Sequence, residues 1–145
     1  MADVVTLTGS CSFRLMPDDP LAEAASSATL TTLPDGAVVL GYRWTHPADG
    51  DQHGSLLVGR AEEGAVEAAW YDTWHQHPGL MTLTGRREGA HLRLEATYEQ
   101  EWGWQVELDL GEGSTAMTMR NVVPASAASE TTPAGPYDVM VARWS

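Results

Sequence analysis

Apolar residues recur at every second position along most of this chain. Over 102–110, Trp102, Trp104, Val106, Leu108 and Leu110 interleave with Gln105, Glu107 and Asp109. Over 91–99, Leu92, Leu94, Ala96 and Tyr98 interleave with His91, Arg93, Glu95, Thr97 and Glu99. A period of two belongs to a β-strand with one buried and one solvated face. The same reading puts Val38, Leu40, Tyr42 and Trp44 inward on a strand over 37–46. It puts Val66, Ala68, Trp70, Asp72 and Trp74 inward over 65–74, and Met117, Met119 and Asn121 inward over 115–123. Shorter patterned segments at 9–15, 28–33, 53–60 and 80–87 complete the series. The last strand, 137–144, is ambiguous: Met140, Ala142 and Trp144 form one face, Val139, Val141 and Arg143 the other.

Turn residues separate nearly all of these segments. Pro34-Asp35-Gly36, Pro47-Ala48-Asp49-Gly50, Glu62-Glu63-Gly64, Arg87-Glu88-Gly89 and Gly111-Glu112-Gly113-Ser114 join successive strands. Links this short permit only antiparallel neighbours. The pattern therefore predicts an all-β, antiparallel up-and-down barrel of about ten strands, because closure removes both exposed edges. Residues 1–145 form a single domain. At 16–25, Pro17, Asp18, Asp19 and Pro20 precede an Ala-rich piece that reads as one or two helical turns. Residues 124–136, rich in Ala, Ser, Thr and Pro, read as a long mobile loop.

Composition narrows the function more than the fold. The net charge is −12, carried against eight arginines and no lysine. A field of that sign repels phosphate backbones and anionic lipid surfaces, so neither nucleic acid nor membrane is an expected partner. Without lysine there is no Schiff-base chemistry and no phosphate loop of the lysine type. Cys11 is the single cysteine and cannot form an internal disulfide. The first residues lack a basic region and a long apolar run, so no signal peptide is expected and a cytoplasmic location is the default. The chain leaves room for a homodimer.

The densest chemistry lies in 68–82, which holds Trp70, Tyr71, Asp72, Trp74, His75, His77 and Met81. An inward Asp72 is expensive to bury without partners, and Arg43, Tyr98 or Asn121 could supply them. Asp72 with His75 or His77 could equally act as a general acid/base pair at the barrel mouth, an imidazole being suited to proton transfer near neutrality. His75 and His77, two apart, would share a face on a strand, a known way to hold a metal. No acidic residue follows in Pro78-Gly79-Leu80-Met81, so no metal is expected, and no cofactor. Glu101-Trp102-Gly103-Trp104 offers two tryptophans as a wall against a flat ligand.

The hairpin series, Gly54-Ser55-Leu56-Leu57-Val58-Gly59, Trp70-Tyr71-Asp72-Thr73-Trp74 and Gly85-Arg86-Arg87-Glu88-Gly89 together resemble a family of uncharacterised bacterial lipocalin-like barrels. These belong to the calycin group, with fatty-acid-binding proteins and nitrobindins. The resemblance implies a barrel of about ten strands holding a small apolar molecule. The chain departs from the group in two places. Gly9-Ser10-Cys11-Ser12-Phe13 lacks the tryptophan common in a calycin first strand. Its last histidine is His91, far from the C-terminal haem ligand of nitrobindin-like barrels.

The sequence thus points to a barrel that binds a small hydrophobic or aromatic molecule. Its expected lining is Tyr42, Trp44, Trp70, Trp74, Met81 and Tyr98, together with Trp102, Trp104, Met117, Met119 and Asn121. The competing expectations are a small-molecule isomerase or cyclase built on Asp72, His75 and His77, and a structural barrel whose interior is simply filled.

Overall fold

A computed structural model of the protein describes residues 2–145. Ten strands form one closed antiparallel barrel in which every neighbour is consecutive in the chain and β10 returns to β1. They are β1 (Asp3–Phe13), β2 (Ala22–Thr32), β3 (Val38–His46), β4 (Gly50–Val58) and β5 (Ala65–Asp72), then β6 (Gln76–Glu88), β7 (His91–Tyr98), β8 (Trp102–Gly111), β9 (Ser114–Val123) and β10 (Gly135–Trp144). Alternation decides what faces in. Val38, Leu40, Tyr42 and Trp44 are buried on β3, as are Leu92 and Leu94 on β7 and Trp104, Val106 and Leu108 on β8. Among the described residues, no helix is long and apolar enough to cross a membrane.

The Ala-rich segment at 22–25 is strand, not helix. All of β2 pairs with β1, from Asp3–Thr32 to Phe13–Ala22. That eleven-residue ladder outweighs the weak helical preference of a few alanines. It also extends the first strand back to Asp3, beyond the expected start at residue 9. Among the described residues the helical content is one 3₁₀ turn, Ala125–Ala127, in the connection that precedes β10.

β10 explains its own ambiguous pattern. Asp138 pairs with Arg120 and Met140 with Met119, leaving Val139 as an extra residue in a β-bulge. A bulge re-aims the chain by one position. Val139 and Met140 are consequently both buried, and Ala142 and Trp144 continue the inner face. Each of the two candidate faces contributes part of the interior.

β5 ends at Asp72, two residues short of the expectation, because the β5–β6 ladder is interrupted. Between the pairs Trp70–Met81 and Asp72–Gln76, one residue of β5 faces four of β6. Residues 77–80 of β6 have no partner on β5 and are exposed. On its other side β6 pairs with β7 only from Thr84 to Glu88. The first half of β6 therefore leaves β7 unpaired at this end of the barrel, and the cavity described next lies there.

Candidate functional site

Asp72 is the buried charge around which this end of the barrel is assembled. It is 0 % exposed. Its Oδ2 accepts from the Tyr42 hydroxyl at 2.7 Å and from the Trp44 indole N–H at 3.1 Å. Its Oδ1 accepts from the backbone N–H groups of Trp74 and His75, each at 2.9 Å. Four donors and no acceptor converge on this carboxylate, which suits the ionised form. The Tyr42 hydroxyl in turn accepts from the Trp70 indole N–H at 2.9 Å. The partners are thus Tyr42 and Trp44, not the expected Arg43, Tyr98 or Asn121.

Gly54 makes this network possible. In register, Tyr42 on β3 lies beside Gly54 on β4, and Gly54 beside Asp72 on β5. A Cβ on Gly54 would overlap the Tyr42 hydroxyl. The tyrosine therefore lies across a bare strand to reach a carboxylate two strands away. Its phenol is pushed well above the usual value, first by burial and then by the Asp72 charge.

Asp72 also directs the following turn. By capping the N–H groups of residues 74 and 75 it turns the His75 ring into the barrel, with Nε2 2.9 Å from the Met140 sulfur. The ring stacks on Trp44 at 5.3 Å and lies edge-on to Trp74 at 4.9 Å. Burial lowers its pKa from 6.5 to about 4, against the opposing pull of Asp72, so the imidazole is neutral near pH 7. His77, in the stretch of β6 that has no partner on β5, is exposed. The two histidines do not share a face, because the irregularity in β6 falls between them and the regular strand. Among the described residues, neither histidine ring hydrogen-bonds to the Asp72 carboxylate.

A cavity of about 190 Å³ opens beside His75. Trp70, Trp74, Met81, Tyr98, Trp104 and Asn121 line it, all expected from the sequence. Trp70 and Trp104 stack nearly parallel at 5.2 Å and form one wall. Beside Trp104, on the neighbouring strand, Asn121 accepts at Oδ1 from the Tyr98 hydroxyl at 2.5 Å. Leu15, Gln76, Tyr137 and Val139 also line the cavity and were not expected. The bulge in β10 hid the last two, and the interrupted β6 ladder hid Gln76. Leu15 had no periodic signal, lying just past β1. Tyr42, Trp44, Met117 and Met119 lie outside this lining in the filled, buried part of the barrel. Trp102 is half-buried and packs against Tyr98 at 6.4 Å, also outside it.

Two other groupings are solvated surface. A depression of about 640 Å³ runs over the outer faces of β6 to β9, among Arg86, Arg93, Glu95, Glu107 and Arg120. Within it Arg120 bonds Glu107 at 3.1 Å and Asp138 at 2.8 Å. Beside it, His91, Glu107 and Asp109 bring possible metal-ligating atoms within 4.8 Å of one another. His91 there already pairs with Asp109 at 2.7 Å, and Arg93 and Arg120 occupy Glu107. Cys11 is buried, and burial raises its thiol to about 12, which leaves it a small apolar filler rather than a nucleophile.

A closed antiparallel barrel of ten strands is consistent with a calycin-like fold. No protein-family model matches the chain, and no curated protein matches it.

Proposed function

We propose that this protein binds a small hydrophobic or aromatic molecule in the cavity between Trp70, Trp74, Trp104, Met81 and Tyr98, as a calycin-like carrier or sensor barrel. One observation carries this reading. Most of the interior is closed by Leu, Met and Trp side chains, yet about 190 Å³ stays open where aromatic walls meet the interrupted β6 ladder. That volume is far more than one water needs, and apolar cavities of about 150 Å³ accept benzene. A barrel filled only for structure has no reason to leave it.

An isomerase or cyclase draws less support from the same geometry. A neutral His75 does stand in the cavity wall and could take up a proton. However, Asp72 spends its oxygens on Tyr42, Trp44 and two backbone amides, which makes it a positioning group for the turn.

The test is intrinsic tryptophan fluorescence during titration with single-ring aromatics, short alcohols, fatty acids and flavonoids. Quenching or a spectral shift is expected with the single-ring compounds, because Trp70, Trp74 and Trp104 form the walls. A spectrum unmoved by every member would overturn the proposal.

A further inference from the structure

The His75 ring is clamped among aromatic neighbours. Its centroid lies 5.3 Å from that of Trp44, 4.9 Å from Trp74, 5.4 Å from Trp104 and 5.7 Å from Phe13. Its Nε2 faces the Met140 sulfur at 2.9 Å. A thioether sulfur accepts a hydrogen bond and has no proton to give. A neutral imidazole has one N–H and one bare nitrogen, and the partner of one nitrogen sets the state of the other. Nε2 therefore carries the proton toward sulfur, and Nδ1 is a bare hydrogen-bond acceptor.

That acceptor is unspent. Among the described residues no group donates to His75 Nδ1, and the Trp104 indole nitrogen is the one unpartnered side-chain nitrogen or oxygen closed off from water. Nδ1 is unpartnered and yet open to water, and His75 lines the cavity. The lining has no hydroxyl proton left to satisfy it. Tyr98 donates its proton to Asn121 Oδ1, and Tyr137 donates its own to the Leu15 carbonyl at 2.8 Å.

The charges around the ring narrow the ligand further. Among the described residues, none that lines the cavity is Asp, Glu or Arg. Behind the ring, the Asp72 carboxylate accepts from the His75 backbone N–H. An anionic ligand would lose its hydration, find no counter-charge and meet that buried negative group. An ammonium ligand would give up its hydration in a lining without a carboxylate. A neutral donor avoids both costs, and the Asp72 charge strengthens Nδ1 as its acceptor.

Resting on the binding function above, we propose that the cavity selects an uncharged molecule of about one ring that carries a hydrogen-bond donor, a phenol being the simplest, and that His75 Nδ1 receives the donor. The Trp70–Trp104 stack supplies the flat surface for the ring. A site that hydrogen-bonds its ligand discriminates against an analogue that leaves the polar group unpaired.

Phenol, anisole and toluene test this by calorimetric titration of the whole protein and of His75→Phe, which keeps an aromatic ring and removes the acceptor. Phenol is expected to bind about tenfold more tightly than anisole or toluene, the size of one hydrogen bond, and to lose that preference in the variant. Anisole binding as tightly as phenol, or a preference for phenol unchanged by His75→Phe, would overturn the inference and leave apolar binding intact. Binding by none of the three would remove the binding function itself, and the inference with it. If His75→Phe does not fold, nitrogen resonances of the unaltered protein decide. The His75 Nδ1 signal should be that of an unprotonated nitrogen and should move upfield with phenol but not with anisole. A protonated Nδ1, or a signal that phenol leaves in place, would overturn the inference.

Discussion

Asp72 is the costliest side chain this barrel buries, and its surroundings show how the cost is met. An isolated carboxylate in an apolar interior is several kcal/mol unfavourable, and the four donors around it offset that penalty. Tyr42 holds the network together, because its one hydroxyl both donates to Asp72 and accepts from Trp70. Tyr42→Phe should destabilise the fold by about 2–3 kcal/mol, since it leaves both partners short of a bond. Urea denaturation checks this through a lowered midpoint at unchanged slope. In an Asp72→Asn background the same substitution should cost measurably less, because the charged acceptor is already gone. Asp72, Tyr42 and Trp44 could each be assigned to the interior from alternation alone. Their meeting could not, because it depends on a glycine in the strand between them.

Among the elements, the turns and irregularities shape the site more than the regular strands do. The β5–β6 interruption puts His75 inside and His77 outside, and the β10 bulge brings Val139 to the cavity and Met140 to the His75 ring. The β7–β8 turn shows a different economy. Glu99 and Gln100 both adopt left-handed backbone, with φ of 45° and 74°, where glycine would normally stand. A side chain in that region costs about 1 kcal/mol or more, which glycine avoids. Gln100→Gly should therefore stabilise the protein, by up to about 1 kcal/mol. A raised urea midpoint would show it, and a lowered one would mean that the Gln100 side chain contributes more than its backbone costs. The break between the strands at 91–99 and 102–110 was legible from the pattern, like the glycine-bearing turns. Its left-handed backbone was not, because Glu-Gln carries no turn signature of its own.

The stability of the whole molecule should depend on pH in a way the buried groups dictate. His75 binds its proton at about 4 in the fold and at 6.5 in the unfolded chain. Between those values only the unfolded state takes up the proton. The contribution of a neutral His75 is therefore fully present above 6.5, and it is lost as pH falls toward 4. Cys11 gives the opposite limb. Its thiol ionises at about 12 when folded against 9.0 when free, so stability declines as pH rises above 9.0. Denaturation midpoints should be highest between these limits. His75→Phe should flatten the acid limb between pH 6.5 and 4, and a variant with the wild-type slope would contradict the assignment.

The hydrophobic and polar pattern by itself determined a great deal: strands rather than helices, antiparallel neighbours, a closed barrel, and the inner face of nearly every strand. It could do so because side-chain direction along a strand is local, set by a backbone period of two. Which inward residues touch is a different kind of fact. It depends on register, and register accumulates over the strand lengths, turns and bulges between two positions far apart in the chain. Tyr42 reaches Asp72 only because Gly54 falls in line between them. The cavity exists only because one residue of β5 faces four of β6. Six expected wall residues gather there because their strands happen to end at the same rim, while Met117 and Met119, equally apolar and equally inward, lie in the filled part of the barrel.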